Sequence, residues 1–477
     1  MARKIHLVLT VGKNPLPVWV AWDRLTNHWT NEGHEVAVQF VHTPGSEDEK
    51  ERLKEYCTTH GVTVRDDIEV DARSPDRADI ENQIRKALPP DFTDLHIHYT
   101  GGTQAMGVAT VYAMMVVQHN LLGQQTIAVD ASYLDPGRGI LPATSSSPAI
   151  VSWNDDLLIA DTRVNITPNL KEIATLNGFR VGPFDYYKID GTADKRLAPQ
   201  IPTDERLQAG AVVLDNYRGI VEQEFRDNFP KGKPWSDTFH KNPDEPESDD
   251  FFHPNDGGCF VLQASDSKWE NNILPAVNEA YPSCPWNCSK KELPYPAAGG
   301  AADQQRDLEE MDKFFTSHWL EYAAYAAFKN VLRSIEARSP ERANFELYHN
   351  VYVTPYLNGV ASRDFELDVV AVLGYQVVVV SCSITSNKSD IKQKAMEVYH
   401  RAKQLGGDAA RAVVLCVASS QDARLVEDEL KDETGIERPL QVWGRQQARG
   451  GGWGPVPNMD NLCAKFQSLC QDDLHWA

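Results

Sequence analysis

Glu366 and Asp368 stand two residues apart in "DFELDVVAVLG", and Glu321 lies upstream in "HWLEYAAYAAFKNVL". Residues two apart on a strand point to one face, so this pair could share a cation, and a helix packed alongside could bring Glu321 to it. Such a cation activates water and stabilises charge on a scissile phosphate. The same E-x-D spacing also arises as two surface carboxylates on an edge strand, so the surrounding topology has to decide. A second stretch, "HIHYTGGTQAMGVATVYAMM", sets Gly101 and Gly102 between an apolar strand and a helix, flanked by Thr100, Thr103 and Gln104. A helix that needs only a tight start can use one Ser or Asp cap, whereas two glycines leave bare backbone that a ligand can approach. The alternative is a close turn against the sheet with no ligand.

The elements around these stretches follow from periodicity. Over the first 135 or so residues, apolar runs such as "IHLVLTVG", "HEVAVQFV" and "DLHIHYT" alternate with helical spacing in "PLPVWVAWDRLTNHW" and "SEDEKERLKEYCTTH". This alternation predicts an α/β fold with a mostly parallel, doubly wound sheet. Ligands of such sheets bind beyond the carboxyl ends of the strands, where "LTVGKNP" and "YTGGTQAM" both fall. From about residue 311 the order is a long helix, three strands, a helix and a strand. The last two of the three strands form a tight hairpin around Gly374, and the following helix "KSDIKQKAMEVYHRAKQL" is stopped by Gly406 and Gly407. We divide the chain into residues 1–150, a linker over 151–310 with an acidic, proline-rich insertion, and residues 311–477.

Composition narrows the function classes. A chain of 477 residues with 42% hydrophobic content folds as more than one domain. The net charge of −21, from 68 acidic and 47 basic residues, repels polyanions on average, so any nucleic-acid contact has to be local. Part of the excess sits between Trp235 and Asp256, where seven carboxylates face one lysine, as in a solvated loop. No apolar run reaches the roughly 18 to 20 residues of a membrane span. Together with eight scattered cysteines, that leads us to expect a soluble, cytoplasmic protein in a reducing compartment, without a membrane partner. Cys284 and Cys288, with Cys259 and His253 upstream, are a weak zinc signal without a clear second pair. Gly12 is followed by Lys13, Asn14 and Pro15, so the G-x-G-x-x-G fingerprint is missing from the first turn, and no P-loop, H-E-x-x-H or G-x-S-x-G occurs.

"TVGKNP" with "YTGGTQAM" resembles the CARF domains, the Rossmann-like sensors of cyclic oligoadenylate in type III CRISPR immunity. "HWLEYAAYAAFKNVL", "FELDVVAVLGYQVVVVS" and "QLGGDAARAVVL" resemble the restriction-endonuclease-like PD-(D/E)xK nuclease domain fused to such sensors. The resemblance covers roughly residues 1–180 and 311–425. It implies that Thr100, Gly101, Gly102, Thr103 and Gln104 cradle a cyclic nucleotide, that Thr10, Gly12 and Asn14 complete the pocket, and that Met106 belongs with them. It also implies a homodimer, since a ring of repeated adenylates can be read by two identical sensors across a twofold axis. Cyclic tetra-adenylate is the ring favoured, with Mg²⁺ or Mn²⁺ held by Glu321, Glu366 and Asp368, and DNA or RNA as substrate.

One departure is serious. Where the family strand ends in E-C-K, this chain has Ser381, Cys382 and Ser383, so the second metal-binding carboxylate and the lysine are both missing. Three readings stay open. The lysine has moved to the next helix, where Lys388, Lys392 and Lys394 lie and Lys394 is the candidate; or the domain has lost catalysis and binds a partner or nucleic acid when the sensor is occupied; or a different enzyme uses the fold. The three lysines are equally readable as a solvated helix stripe, and Cys382, among valines with no local base, as a core thiol.

Overall fold

The computed structural model describes residues 2–71, 76–88, 92–121, 128–134, 141, 143–145, 166, 168–182, 185–188, 252–254, 259–262, 292–294, 319–340, 344–357, 360–435, 440–445 and 459–474. The acidic run at 235–251 and Cys284 and Cys288 lie outside them.

The first sheet is built from β1 (Lys4–Thr10), β2 (Glu35–His42), β3 (Thr63–Val64), β4 (Ile68–Glu69), β5 (Asp94–His98), β6 (Ala128–Ser132) and β7 (Ala143–Ser145). Its order is β3-β2-β1-β5-β6-β7, with β4 also on β2, and every pairing is parallel except β6 with β7. The helices α1 (Leu16–Asn31), α2 (Glu47–Thr59), α3 (Arg77–Ala87) and α4 (Gln104–Leu121) are the crossovers. A helix that must cover a buried parallel sheet needs a broad apolar face, and α1 supplies Val18, Trp22, Leu25 and Trp29, all buried.

In the middle segment, α5 (Leu170–Leu176) starts at a capping box in which the Asn169 side chain accepts from the Glu172 amide and the Glu172 carboxylate from the Asn169 amide, both at 2.9 Å. The chain then continues into β8 (Phe179–Val181) and β9 (Asp185–Lys188), which pair antiparallel with a strand of the C-terminal sheet. A three-stranded antiparallel sheet follows, made of β10 (Phe252–Pro254), β11 (Cys259–Leu262) and β12 (Glu292–Pro294).

The C-terminal domain opens on α6 (Trp319–Arg338) and continues through β13 (Phe345–Leu357), β14 (Val360–Ala361), β15 (Phe365–Leu373), β16 (Gln376–Ser383), α7 (Lys388–Gly406), β17 (Arg411–Ser419), α8 (Ser420–Thr434), β18 (Leu440–Arg445) and α9 (Met459–Ser468). The sheet runs β14-β13-β15-β16-β17-β18, antiparallel through β16 and parallel beyond it. The hairpin expected at Gly374 is there, with φ of +60°. One face of the sheet packs on α6 and α9, the other on α7. The latter core is continuous with that of the first domain, since Leu7, Trp22 and Leu53 belong to the same buried cluster as Tyr348, Val379 and Ile391. Arg52 Nε of α2 donates to the Leu176 carbonyl at 2.7 Å, and Asn177 Nδ2 to the Leu405 carbonyl at 2.9 Å, so the end of α5 bridges the two domains.

Candidate functional site

The carboxylates of the second domain meet at an irregularity in the sheet. The β13–β15 ladder pairs His349 with Val369 and Val351 with Leu367 but skips Asn350 and Asp368. Asn350 has φ of +51°, the one positive value outside glycine among the described residues. On β15 the alternation slips here: Val370 and Val372 join the α7-side core, Val369 and Ala371 the α6-side core, and Leu367 is again on the α7 side. The β15–β16 ladder also ends at Val369 and Val380. Asp368 fills the gap with its side chain, since Oδ2 accepts from the Cys382 amide at 2.6 Å and from the Ser381 hydroxyl at 3.0 Å. Its Oδ1 carries no hydrogen bond among the described residues.

Glu321, on the first turn of α6, is 6% exposed and raises Asp368 electrostatically, while Lys394 of α7 lies near enough to pull it down. Burial is the larger cause, and Asp368 ends at about 6, well above the ordinary 3.8. Glu321 is itself faced by the buried ring of His349, whose Nε2 lies 3.6 Å from Glu321 Oε2. Glu321 and Asp368 offer carboxylate oxygens, a donor type that suits Mg²⁺ or Mn²⁺ better than a soft metal, and a cation would offset the charge that burial and Glu321 make costly on Asp368. The residues present therefore fit such an ion.

Helix, strand and helix thus bring together Glu321, Asp368 and Lys394. Glu366 is exposed on β15 and flanked by Phe365 and Leu367, both on the α7 side, so it takes the α6 face of the strand. Lys388 pairs with Asp422 at 2.9 Å and Lys392 with Glu429 at 3.6 Å and with Glu433, so these two, four apart, face α8 while Lys394 turns away. Cys382 is buried, and that burial pushes its thiol well above the ordinary value, as for a core thiol. His349 escaped sequence reasoning because its strand reads as ordinary alternation; it follows Phe345 and Leu347 on the α6 side, where it meets Glu321.

In the first domain, a cavity of about 620 Å³ opens at the ends of β1 and β5, lined by Gly12, Asn14, Thr100, Gly101, Gly102 and Thr103 among others. Gly101 is buried against β1: a Cβ there would lie 2.0 Å from the Thr10 carbonyl, and the Thr10 hydroxyl donates to the Gly101 carbonyl at 2.6 Å. Thr10 is fully buried, so it pins the turn from beneath rather than lining the cavity, and Met106, 1% exposed, is likewise packed below it. Thr103 Oγ accepts from the Met106 amide at 3.2 Å, and Asn14 Oδ1 from the Leu16 amide at 3.2 Å, so both serve as helix starts at the cavity wall. Gln104 faces a second cavity of about 610 Å³, which shares Thr100, Gly102 and Thr103 with the first and is closed by Val108, Tyr112 and Tyr133. The glycine turn is therefore the wall between two hollows. Lys13 and Lys403 also line the first cavity, and the sequence marks neither.

Among the described residues no helix is long and apolar enough to cross a membrane. No protein-family model and no curated protein matches the chain. Among solved structures, protein VC1899 from Vibrio cholerae superposes with a TM-score of 0.58 at 14% identity, over 99% of this chain and 98% of its own. Can2 from Sulfobacillus thermosulfidooxidans, in complex with cyclic tetra-adenylate, does so with a TM-score of 0.50 at 12% identity, over 92% of this chain and 95% of its own. In its fold, across nearly its whole length, the chain is similar to these two proteins.

Proposed function

We propose that this chain is a CRISPR-type ancillary effector: its N-terminal CARF-like domain binds a cyclic oligoadenylate, and its C-terminal domain is a metal-dependent nuclease switched on by that ligand. The observation that carries the reading is the convergence of Glu321, Asp368 and Lys394 from three separate elements beside a sheet of the nuclease-like order. The fold likeness to Can2, which was solved with cyclic tetra-adenylate, makes that ring the first ligand to try.

Asp368, through Oδ1, and Glu321 would hold Mg²⁺ or Mn²⁺. The ion, when bound, lowers the pKa of a water and stabilises charge on the scissile phosphate. The Cys382 amide and Ser381 hydroxyl keep Asp368 Oδ2 in place and leave its other oxygen open. Lys394 takes the part of the missing strand lysine, offering an ammonium to a phosphate oxygen or to the attacking water. The protein works as a homodimer. Val108, Tyr112 and Met115, at i, i+4 and i+7 of α4, stand 57%, 56% and 52% exposed beside the glycine turn and form the twofold contact. A cytoplasmic location goes with this role.

The test is to incubate purified protein with cyclic oligoadenylates of different ring size, Mg²⁺ or Mn²⁺, and labelled DNA or RNA. Cleavage that needs both ring and metal is the expected result. A second reading, a binding-only domain, draws on Ser381, whose hydroxyl meets Asp368 where the family has a carboxylate. Ring binding without cleavage of either nucleic acid under either metal would favour it.

A further inference from the structure

The ligand cavity is not made by the sensor alone. Its far side is supplied by the other domain, with Tyr375 at the tip of the β15–β16 hairpin, Lys403 near the end of α7, and Gly407 and Asp408 just beyond. Contact there is intimate. Gly407 has φ of +66°, and a Cβ on it would lie 1.9 Å from Asn14 Nδ2, so the turn that ends α7 sits directly on the turn that ends β1. Lys403 Nζ is 2.9 Å from Asp408 Oδ1, and both side chains are more than half exposed, at 52% and 75%. At the sensor side of the same cavity the exposed Lys13 lies 3.5 Å from Glu49, a largely buried carboxylate that Arg52 also approaches at 3.5 Å.

A polyanionic ligand entering a cavity on a protein of net charge −21 needs local cations. Lys403 is held by an exposed carboxylate, a weak pairing in water that a phosphodiester can replace. Building on the functional reading above, we infer that Lys403 is a ligand-binding residue lent by the nuclease-like domain, which exchanges Asp408 for a phosphodiester oxygen of the cyclic nucleotide. The consequence is mechanical. Lys403 and Lys394 are on one uninterrupted helix, nine residues or about 13 Å apart along its axis. The β15–β16 hairpin likewise has Tyr375 at the cavity and Asp368 with Ser381 at its other end. A ligand that takes hold of Lys403 therefore grips the same helix that carries Lys394 to the carboxylates.

The test uses full-length protein and cyclic tetra-adenylate, with the other ring sizes as controls, by calorimetry at several salt concentrations. Lys403→Gln should weaken binding about tenfold and flatten its salt dependence, as loss of one ammonium–phosphate contact does. Asp408→Asn, which removes the competing carboxylate, should tighten binding a few-fold. Opposite signs are the diagnostic: an ion pair that merely held the loop would give losses in both variants. Binding by wild type that both variants leave unchanged, or weaken alike, overturns the inference while leaving the sensor reading intact. No binding of any ring by wild type overturns the sensor reading, and this inference with it.

Discussion

Asp368 is the residue where the most physical demands meet. It replaces a broken ladder bond, sits beside a second carboxylate, and is lifted to about 6 chiefly by burial and then by Glu321. A carboxyl raised on folding contributes stability that is complete below 3.8 and lost as pH rises through 6, because the folded chain then gives up a proton it held. Metal-free protein above pH 6 therefore bears the full cost of the ionised group. Asp368→Asn keeps an oxygen for the Cys382 amide and removes the charge, so in chelator at pH 7.5 it should unfold at a higher temperature than wild type, by roughly 1 kcal/mol or more. Added Mn²⁺ should stabilise wild type and leave the variant unmoved. A variant less stable than wild type in chelator would show that the carboxylate is not under strain. Lysines offer a sharper contrast on the same helix. Lys394→Ala should lower ring-stimulated cleavage by about a hundredfold, whereas Lys392→Ala, which loses only pairs with Glu429 and Glu433, should stay within about twofold. Equal losses would point to helix stability rather than to chemistry.

At the scale of elements, α4 does two jobs with different faces. Met106, Ala113, Met114 and Val117 are buried against the sheet, while Val108, Tyr112 and Met115 face outward, so the helix is apolar nearly all round. A sequence reading sees one long apolar helix and cannot assign its faces; Met114 and Met115 are adjacent, yet one is buried and the other exposed. An outward apolar stripe at helical spacing beside a ligand turn is the contact a second copy would cover. Tyr112→Asp puts a charge at its centre and should raise the dimer dissociation constant about a hundredfold, measured by sedimentation at micromolar concentration. An unchanged dimer would move the twofold contact elsewhere.

For the whole molecule, buried imidazoles set the acid limit. His96 and His98 of β5 both reach the Ser132 hydroxyl, at 2.8 and 3.1 Å, and burial drives each from 6.5 to about 3. Their neutral forms are favoured on folding, so the unfolded chain takes up protons that the folded one refuses. Stability is complete above 6.5 and falls as the pH drops toward 3. This runs against the contribution of Asp368, and two histidines outweigh one carboxylate, so acid should destabilise the chain on balance. His98→Asn retains an atom near Nδ1 for Ser132 and cannot titrate. Its stability should change with pH less steeply between 6 and 4, by about 1.4 kcal/mol per pH unit, in denaturant titrations. An unaltered slope would mean that His98 is protonated in the folded state. Because the two domains share one core cluster and the α5 bridge, this loss should be felt by both together.

Sequence alone determined what depends on neighbours along the chain. Strand–helix alternation, the hairpin at Gly374 and the stop at Gly406 and Gly407 all follow from period and turn chemistry within a few residues. The two glycines after β5 were legible as a special turn for the same reason. Lys394 was the candidate from sequence, but the physical ground for it was not legible: Lys388, Lys392 and Lys394 differ only in azimuth on α7, and it is α8 that takes the other two. Nor was the slip at Asp368, since a strand period holds only while its ladder is unbroken, and the break needs Asn350 of another strand. Phe179–Val181, which sequence assigns to a linker, became a strand because β13 offered it an edge. The shared cavity is the furthest from the sequence: Asn14 and Gly407 are brought together only by two domains closing on one core, and no local pattern encodes a contact made across that distance.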